Sequence, residues 1–347
     1  MTSEPGYLRF AVAKAASLRE RAQRHAFVVA VLAGAVLAGP SAQADDKYPS
    51  KPVRIIVSFA AGGPTDTVAR ITGARMGELL GQQFLVENKA GAGGNIGADL
   101  VAKSPPDGYT LLMATVSTHA INPGLYKKMP YDAVRDFVPI GQVGVTPTLL
   151  GVHPSVPAND VKSLVALLKA NPGKYTYGSS GLGSILHLCG EQFKASAGGL
   201  NAVHVPYRGS APMMGDLVAG QISMAFDATP TALPQAQSGA IRPIGAGMAQ
   251  RMRAMPELPT LQEQGLKGFE CYTWNAYLAP AGTPAPIVAQ LNAAMNKALS
   301  EAAIFNRLQE AGIDPTPGTT PEQTAQFIKA ELAKWAPIIK ASGAEVN

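Results

Sequence analysis

The sequence predicts an α/β fold with largely parallel sheets, arranged as two domains. The chain has 347 residues, which is enough for two domains of ordinary size with separate cores. From residue 53 onward, short apolar runs alternate with segments of helical periodicity, and this alternation is typical of parallel α/β sheets. From residue 287 the chain reads as helices, which we expect to cover the first domain.

The first domain is expected to begin with a buried strand at residues 53–57, which runs into small turn-forming residues. The helix that follows carries apolar residues near a 3.6-residue period, from Val68 to Leu79. Two further strands are predicted at residues 84–87 and 110–114.

The second domain is expected to begin at a strand over residues 149–152. Pro243 has no backbone N–H group, so the strand that contains it should lie at a sheet edge. Thr320 before Pro321 is typical of a helix N-cap. The remaining predicted elements are helices 161–170 and 184–193, strands 175–177, 202–205, 221–226 and 241–245, and helices 287–299, 304–311 and 321–340.

Residues 1–44 are predicted to be a secretory signal peptide. Three arginines between residues 19 and 24 precede an apolar run of 13 residues, and an Ala-Gln-Ala site follows at residues 42–44. The run is shorter than the roughly 20 residues that a spanning helix needs, so an uncleaved anchor is the weaker alternative. Cleavage after Ala44 would deliver the protein to the periplasm by Sec export.

Charge and motif spacing argue against several classes of function. Without residues 1–44 the net charge falls from +5 to +2, and the basic residues do not cluster, which argues against nucleic-acid binding. Ile96 stands where a dinucleotide fingerprint needs its third glycine. Leu182 stands where the nucleophile elbow of a hydrolase needs glycine.

Two cysteines, Cys189 and Cys271, are the whole cysteine content of the chain. In an oxidising compartment an even number of cysteines predicts a disulfide, although two separate buried thiols are the alternative. Neither cysteine, and none of the scattered histidines, has a partner at zinc-ligand spacing. We therefore expect no metal and no cofactor.

The predicted strand ends carry small and polar residues in four places, at residues 62–66, 117–122, 179–184 and at Asp227. Ligands of open α/β sheets bind outside the carboxyl ends of the strands. We therefore expect the four segments to converge on one site between two facing domains.

The segment around Gly63 is the strongest candidate for binding an anion. Glycine allows close backbone approach, Pro64 favours a helix start, and the free N–H groups of a first helical turn suit a carboxylate. The alternative is an ordinary turn in which Asp66 stabilises its own helix. The candidate ligand contacts of this segment are Phe59, Ala60, Gly63, Thr65 and Asp66.

The other segments supply hydroxyl, imidazole and charged groups. Hydroxyl and N–H groups at residues 179–184 could hold a second carboxylate, or could form only a turn and an N-cap. Arg208 could pair with a carboxylate in a bidentate manner or lie at the surface. Asp227 is read either as a hydrogen-bond acceptor for the ligand or as a helix cap. The candidates here are Ser117, Thr118, His119, Ser179, Ser180, Gly183, Ser184, Arg208 and Asp227.

Ordered blocks of the sequence, taken together, resemble the Bug family, the extracytoplasmic receptors of tripartite tricarboxylate transporters. The similarity runs from about Tyr48 to the C-terminus. The blocks are YPSKPVRIIVSFAAGGPTDTVAR, VENKAGAGGNIGADLVAKSPPDGYTLL, YGSSGLGS, HVPYRGSAPMMGDLVAGQISMAFD, ELPTLQEQG and YLAPAGTPAPIVAQLN.

The resemblance implies a two-lobed periplasmic-binding-protein fold, type II-like, with mixed sheets flanked by helices and a hinge of two crossing strands. Lobe I is expected over residues 45–146 and 276–347, and lobe II over residues 147–275. The family holds a carboxylate in the loop that matches residues 59–66, and the other three segments would complete the pocket. The implied ligands are di- or tricarboxylates, acidic amino acids or aromatic acids.

We therefore expect a monomeric periplasmic solute-binding protein without catalysis, which captures a small organic carboxylate for the permease subunits of a transporter. A ligand-sensing receptor for a sensor kinase is the first alternative. A periplasmic hydrolase is the weaker one, because the sequence supports no nucleophile–base arrangement.

Overall fold

The structure, a computed structural model, describes residues 48–342, and the predicted signal peptide lies outside the described residues. The described chain forms a mixed sheet with helices packed against it. The strands are β1 (Val53–Val57), β2 (Phe84–Asn88), β3 (Thr110–Thr115), β4 (Phe137–Val152), β5 (Thr176–Ser179), β6 (Val203–Pro206), β7 (Met224–Ala228), β8 (Arg242–Ala246), β9 (Tyr272–Pro280) and β10 (Asp314–Pro315).

Each predicted helix is present to within a few residues at each end, whereas the helices at residues 122–125, 210–218 and 229–237 were not predicted. Thr320 accepts from the N–H of Gln323 at 3.1 Å, and Gln323 accepts from the N–H of Thr320 at 3.0 Å, so the predicted cap is a reciprocal one. The helices are α1 (Pro64–Leu80), α2 (Asn95–Ala102), α3 (Asn122–Leu125), α4 (Val161–Ala170), α5 (Ile185–Ser196), α6 (Ser210–Val218), α7 (Thr229–Gln237), α8 (Ala285–Ser300), α9 (Ala302–Glu310) and α10 (Pro321–Ser342).

The strand order is β2-β1-β3-β9-β4-β7-β5-β6, with β8 and β10 also paired to β4. The two ends of the sheet are parallel, as predicted: β1 with β2 and β3, and β5 with β6 and β7. The middle of the sheet is antiparallel, because β9 runs against both β3 and β4. The expectation of a largely parallel sheet is therefore correct at the ends and wrong at the centre.

Strand β4 joins the two halves of the sheet. Its first part pairs with β9, and its last five residues pair with β7 and β8. Beside this crossing, Gly247 donates to the carbonyl of Thr148 at 2.8 Å, and Cys271 donates to the carbonyl of Gly247 at 2.7 Å. Strand β9 crosses next to β4, with Thr146 opposite Thr273 and Gly144 opposite Asn275. The chain therefore passes between the halves at two adjacent places. We call residues 48–146 and 276–342 lobe I and residues 147–275 lobe II, following the division proposed from the sequence.

The buried apolar residues form two clusters, one on each face of the lobe I sheet. One cluster packs β1, β3 and β9 against α1, α8 and α9, and the other continues into lobe II. On that second face, Glu331 of α10 accepts hydrogen bonds from Trp274 Nε1 at 2.9 Å and from Tyr272 at 2.9 Å. Helix α10 therefore packs on β9 through a buried carboxylate as well as through apolar side chains.

Cys189, on α5, is joined to Cys271, directly ahead of β9, by a disulfide. The two Cα atoms are 5.7 Å apart, 82 positions apart in the sequence. Both side chains are buried. The bond fastens lobe II to the start of the strand that returns the chain to lobe I.

None of the helices described over residues 48–342 is both long enough and apolar enough to span a membrane. The same residues hold no group of three or more histidine, cysteine or acidic side chains that could bind a metal ion.

Candidate functional site

The segments predicted to form the site meet along a seam between the two lobes. The N–H group of Ala60 donates to the carbonyl of Arg208 at 3.1 Å. The hydroxyl of Ser117 accepts from the N–H group of Ile185 at 3.0 Å. These bonds join one lobe directly to the other.

A small cavity lies on this seam. The centre of a water-sized sphere can occupy about 30 Å³ within it. Both lobes line it, with hydroxyl groups on part of the wall and apolar side chains on the rest. None of the described residues that line it carries a charge. They are Phe59, Pro64, Thr65, Thr115, Ser117, Ser180, Ile185, Leu186, Ser210, Ala228 and Thr273.

The N-terminus of α1 forms one side of the cavity, through Pro64 and Thr65. Gly63 precedes the helix in extended conformation and supplies no side-chain cap. The first-turn amide groups of a helix have no intrahelical acceptor, and they carry the positive end of the helix dipole. This side of the cavity therefore favours an anion.

Asp66 supports the loop before α1 and is buried. Its carboxylate accepts from Gly62 N–H at 2.9 Å, Arg70 Nε at 2.9 Å and Asn88 Nδ2 at 3.0 Å. Burial opposes ionisation, but the bonds from Arg70, Gly62 and Asn88 outweigh it and lower the pKa of Asp66. Asp66 therefore holds the loop before α1 and is not among the residues that line the cavity.

A single π-helical turn, Ser117–Ile121, follows β3. It brings Ser117 to the cavity and turns Thr118 away from it. The Thr118 hydroxyl bonds to the backbone N–H and carbonyl groups of Thr115, both at 3.1 Å. Thr118 thus closes the turn that positions Ser117.

His119 lies in the core rather than at the cavity. Its side chain has no exposed surface, and its ring contacts the rings of Tyr131 and Phe137. Nδ1 lies 2.9 Å from the Thr118 hydroxyl. Burial lowers the pKa of His119 to about 3, so the ring is neutral near pH 7. The π-helical turn directs the ring inward, so the His119 side chain is not among those that line the cavity.

Ser180 is the one residue of the 179–184 segment whose side chain lines the described cavity. Ser179 is buried beneath it, and its hydroxyl lies 2.7 Å from Nε2 of His204. Ser179 also accepts from the N–H group of Gly181 at 3.2 Å. Ser179 therefore holds the loop in place, and Ser180 faces the cavity.

The end of the same segment caps α5. Ser184 accepts from the N–H group of His187 at 3.4 Å, as the alternative of an N-cap predicted. Gly183 has a φ of 81°, which favours glycine, and its N–H group donates to Nδ1 of His187 at 3.3 Å. His187 stacks on His204 with ring centroids 4.2 Å apart. Two histidines therefore support this loop from behind.

Asp227 ends β7 beside the cavity and is 1% exposed. It accepts from the N–H group of Ala228 at 2.9 Å and from the Thr231 hydroxyl. Burial raises its pKa to about 6, against the opposing effect of bonds from Ser210, Thr231 and Ala228. Arg208 is exposed and takes part in the seam through its backbone carbonyl. Neither side chain lines the cavity.

Four of the predicted contacts line the cavity: Phe59, Thr65, Ser117 and Ser180. Most of the lining residues not predicted adjoin the predicted segments in the sequence. Thr115 and Thr273 instead lie on strands, with Asn275 next to them across the β3–β9 ladder. The available signal was the pair of polar residues Thr273 and Asn275 in the otherwise largely apolar strand β9, since asparagine is disfavoured in strands.

Comparison with known proteins agrees with this geometry. The family described as the tripartite tricarboxylate transporter family receptor, TctC, matches residues 68–344. A protein of Pseudomonas sp. strain P51, named for the tcbD-tcbE intergenic region, is 39% identical over 314 residues, 89% of this chain and 93% of that one. Protein BugT of Bordetella pertussis is 36% identical over 303 residues, 87% of this chain and 92% of that one.

Solved structures show the same likeness. A periplasmic transporter is 43% identical with a TM-score of 0.83, over 86% of this chain and 100% of that one. Rpa4515 of R. palustris with adipate is 38% identical with a TM-score of 0.83, over 86% of this chain and 100% of that one. MatC of Rhodopseudomonas palustris with bound malate is 32% identical with a TM-score of 0.81, over 84% and 100%. The chain has the two-lobed periplasmic-binding-protein fold and belongs to the tripartite tricarboxylate transporter receptor (Bug) family, whose members are solute-binding proteins and not enzymes.

Proposed function

We propose that this protein captures a small organic carboxylate in the seam cavity and delivers it to the membrane subunits of a tripartite tricarboxylate transporter. The observation that carries the proposal is the cavity itself: an uncharged wall of hydroxyl groups beside the N-terminus of α1. Such a site holds an anion by hydrogen bonds and by the helix dipole. The adipate- and malate-bound relatives support a carboxylate.

The cavity supports a small ligand. A space of about 30 Å³ for sphere centres favours compact acids in this arrangement of the lobes. A highly charged ligand would also need cations, and none of the described lining residues supplies one. We therefore favour mono- and dicarboxylates among the classes that the family resemblance implies.

Closure would couple binding to delivery. A ligand that contacts both Thr65 of lobe I and Ser180 of lobe II stabilises the closed form, whose outer surface differs from that of an open form. The membrane partner would recognise that closed surface. We place this event in the periplasm and expect the receptor to act as a monomer.

The first experiment is a thermal-shift and calorimetric screen of the purified protein against mono-, di- and tricarboxylates, acidic amino acids and aromatic acids. A ligand at a hundredfold excess over its Kd should stabilise the protein by about 2.7 kcal/mol. Ser117→Ala and Ser180→Ala should each weaken binding about tenfold, because each removes a hydroxyl from the wall. Ser238→Ala, at an exposed position of lobe II, is the control. Full affinity in both cavity variants would contradict the site.

Delivery to the transporter is tested separately. The ligand-loaded protein should be retained by its membrane subunits in detergent, and the ligand-free protein should not. Retention by a sensor kinase instead would favour the alternative of a signalling receptor.

A further inference from the structure

Two polar side chains of the sheet line the cavity, Thr115 on β3 and Thr273 on β9, and two more lie opposite them, Thr146 on β4 and Asn275 on β9. We call them the floor cluster. Asn275 lies opposite Thr115, and Thr273 opposite Thr146, in the antiparallel ladders. Opposed residues, and residues two apart on one strand, point to the same face of a sheet. Because Thr115 and Thr273 line the cavity, this face is the one turned toward it.

The floor cluster is buried but largely unpaired. Thr115, Thr146 and Asn275 are each 2% exposed or less. Over residues 48–342, the hydroxyls of Thr115 and Thr146 and both polar atoms of the Asn275 amide have no hydrogen-bond partner in the protein. The next residue along β9 behaves differently: on the opposite face, Trp274 donates to Glu331 at 2.9 Å.

Buried polar groups in folded proteins are nearly always paired, because an unpaired one has lost its bonds to water without replacement. Several such atoms concentrated on one face, beside a ligand cavity, indicate that the bound ligand pairs with them. This differs from a single orphaned atom in a core, which carries no information about a ligand.

The chemistry of the cluster narrows the group that it can hold. The Asn275 amide both donates and accepts, and so does each threonine hydroxyl. A carboxylate only accepts, so it can pair with the amide NH2 group and the hydroxyls but supplies no donor for the Asn275 carbonyl oxygen. An ammonium only donates and would find no carboxylate in the cluster. Asp227, the buried carboxylate next to the lining residue Ala228, already binds Ala228 N–H and Thr231. A hydroxyl group, which donates and accepts, satisfies both halves of the amide.

We propose that the floor cluster binds a hydroxyl group of the ligand, so that the protein selects hydroxycarboxylates over the matching acids without the hydroxyl. The inference rests on the proposed function and names the substrate class of the same site. The positive end of α1 orients the carboxylate toward Thr65, and the hydroxyl then points toward Asn275.

The test compares acids that differ by one hydroxyl: malate (both enantiomers) with succinate, 2-hydroxyglutarate with glutarate, and 3-hydroxybutyrate with butyrate. Affinities are measured by calorimetry on the full-length secreted protein. At least one pair should favour the hydroxyl acid by about tenfold or more, because a site that binds a hydroxyl rejects an analogue lacking it. Asn275→Leu and Thr115→Val should each remove the preference for the hydroxyl acid. Thr72→Val, a buried threonine bonded to Tyr277 away from the cavity, is the control.

The possible results distinguish a failure of this inference from a failure of the proposed function. Equal affinities for every pair in the wild type would overturn the inference and leave the proposed function standing, with water as the partner of the cluster. A preference that persists in both floor variants would remove the cluster from the site. Binding of none of the acids, in this test or the wider panel, would overturn the proposed function itself. Because the wild-type comparison needs no variant, the test stands even if a floor variant fails to fold.

Discussion

Replacing Cys189 and Cys271 together with alanine should lower the free energy of unfolding substantially. The bond closes a loop with a sequence separation of 82 residues. In the chain-entropy treatment, opening a loop of this length costs about 4.5 kcal/mol at 25 °C. Loss of two buried sulfur atoms adds a smaller packing term of the same sign. For a protein of this size the melting temperature should fall by about 10 °C.

The assay is guanidinium chloride unfolding followed by tryptophan fluorescence. Trp274 and Trp335 are both buried, so their emission reports the loss of the core that contains α10 and β9. Wild-type protein in reductant should match the double alanine variant, and the variant itself should not respond to reductant. A stability loss below about 1 kcal/mol would refute the reasoning, because it would mean that the disulfide does not restrict the unfolded chain.

Two further predictions concern buried titratable groups. Glu331→Ala leaves the indole N–H of Trp274 unpaired in the core and should cost about 2–4 kcal/mol by denaturant unfolding, whereas the exposed Glu322→Ala should be near neutral; equal effects would contradict the role of Glu331. The pKa of His119 is about 3 in the folded protein against about 6.5 in the unfolded chain. Its contribution to the free energy of unfolding is therefore complete above pH 6.5 and declines by about 3 kcal/mol as the pH falls to 4. His119→Leu should therefore narrow the stability difference between pH 7 and pH 4, and an unchanged difference would show that His119 is not the group responsible.

The sequence predicted the elements whose local pattern is unambiguous. Residues 53–57 and 110–114 are nearly all apolar, and both form buried strands, because continuous apolar runs suit a sheet covered on both faces. Strand β4 was predicted only over its last four residues. Its first part contains Pro139, Gly141, Gly144 and Pro147, which interrupt the pattern. The register shifts beside these residues show how the strand accommodates them.

The site was predicted as a set of loops, and its contacting residues only in part. Turn chemistry located the loops at Gly63 and Ser180, since glycine and serine mark strand ends directly. It did not show which way each side chain points. The carboxylate of Asp66 turns to Arg70 and Asn88, and His119 turns into the core, because tertiary packing decides these directions. Asn275 lies within a strand, where a search of loops does not look.

The pairing of β4 with the segment around Gly247 and Cys271 has a mechanical consequence. The Thr148 hydroxyl donates to the carbonyl of Cys271 at 2.7 Å. This bond joins β4 to the chain directly ahead of β9. Two parallel tethers joined at one level behave as a leaf hinge: they bend readily about the line between them and resist twisting and sliding. Bending about that line moves apart the segments that meet across the seam, such as those of Ala60 and Arg208. The seam around the cavity can therefore open while the pairing of β4 with β9 stays intact.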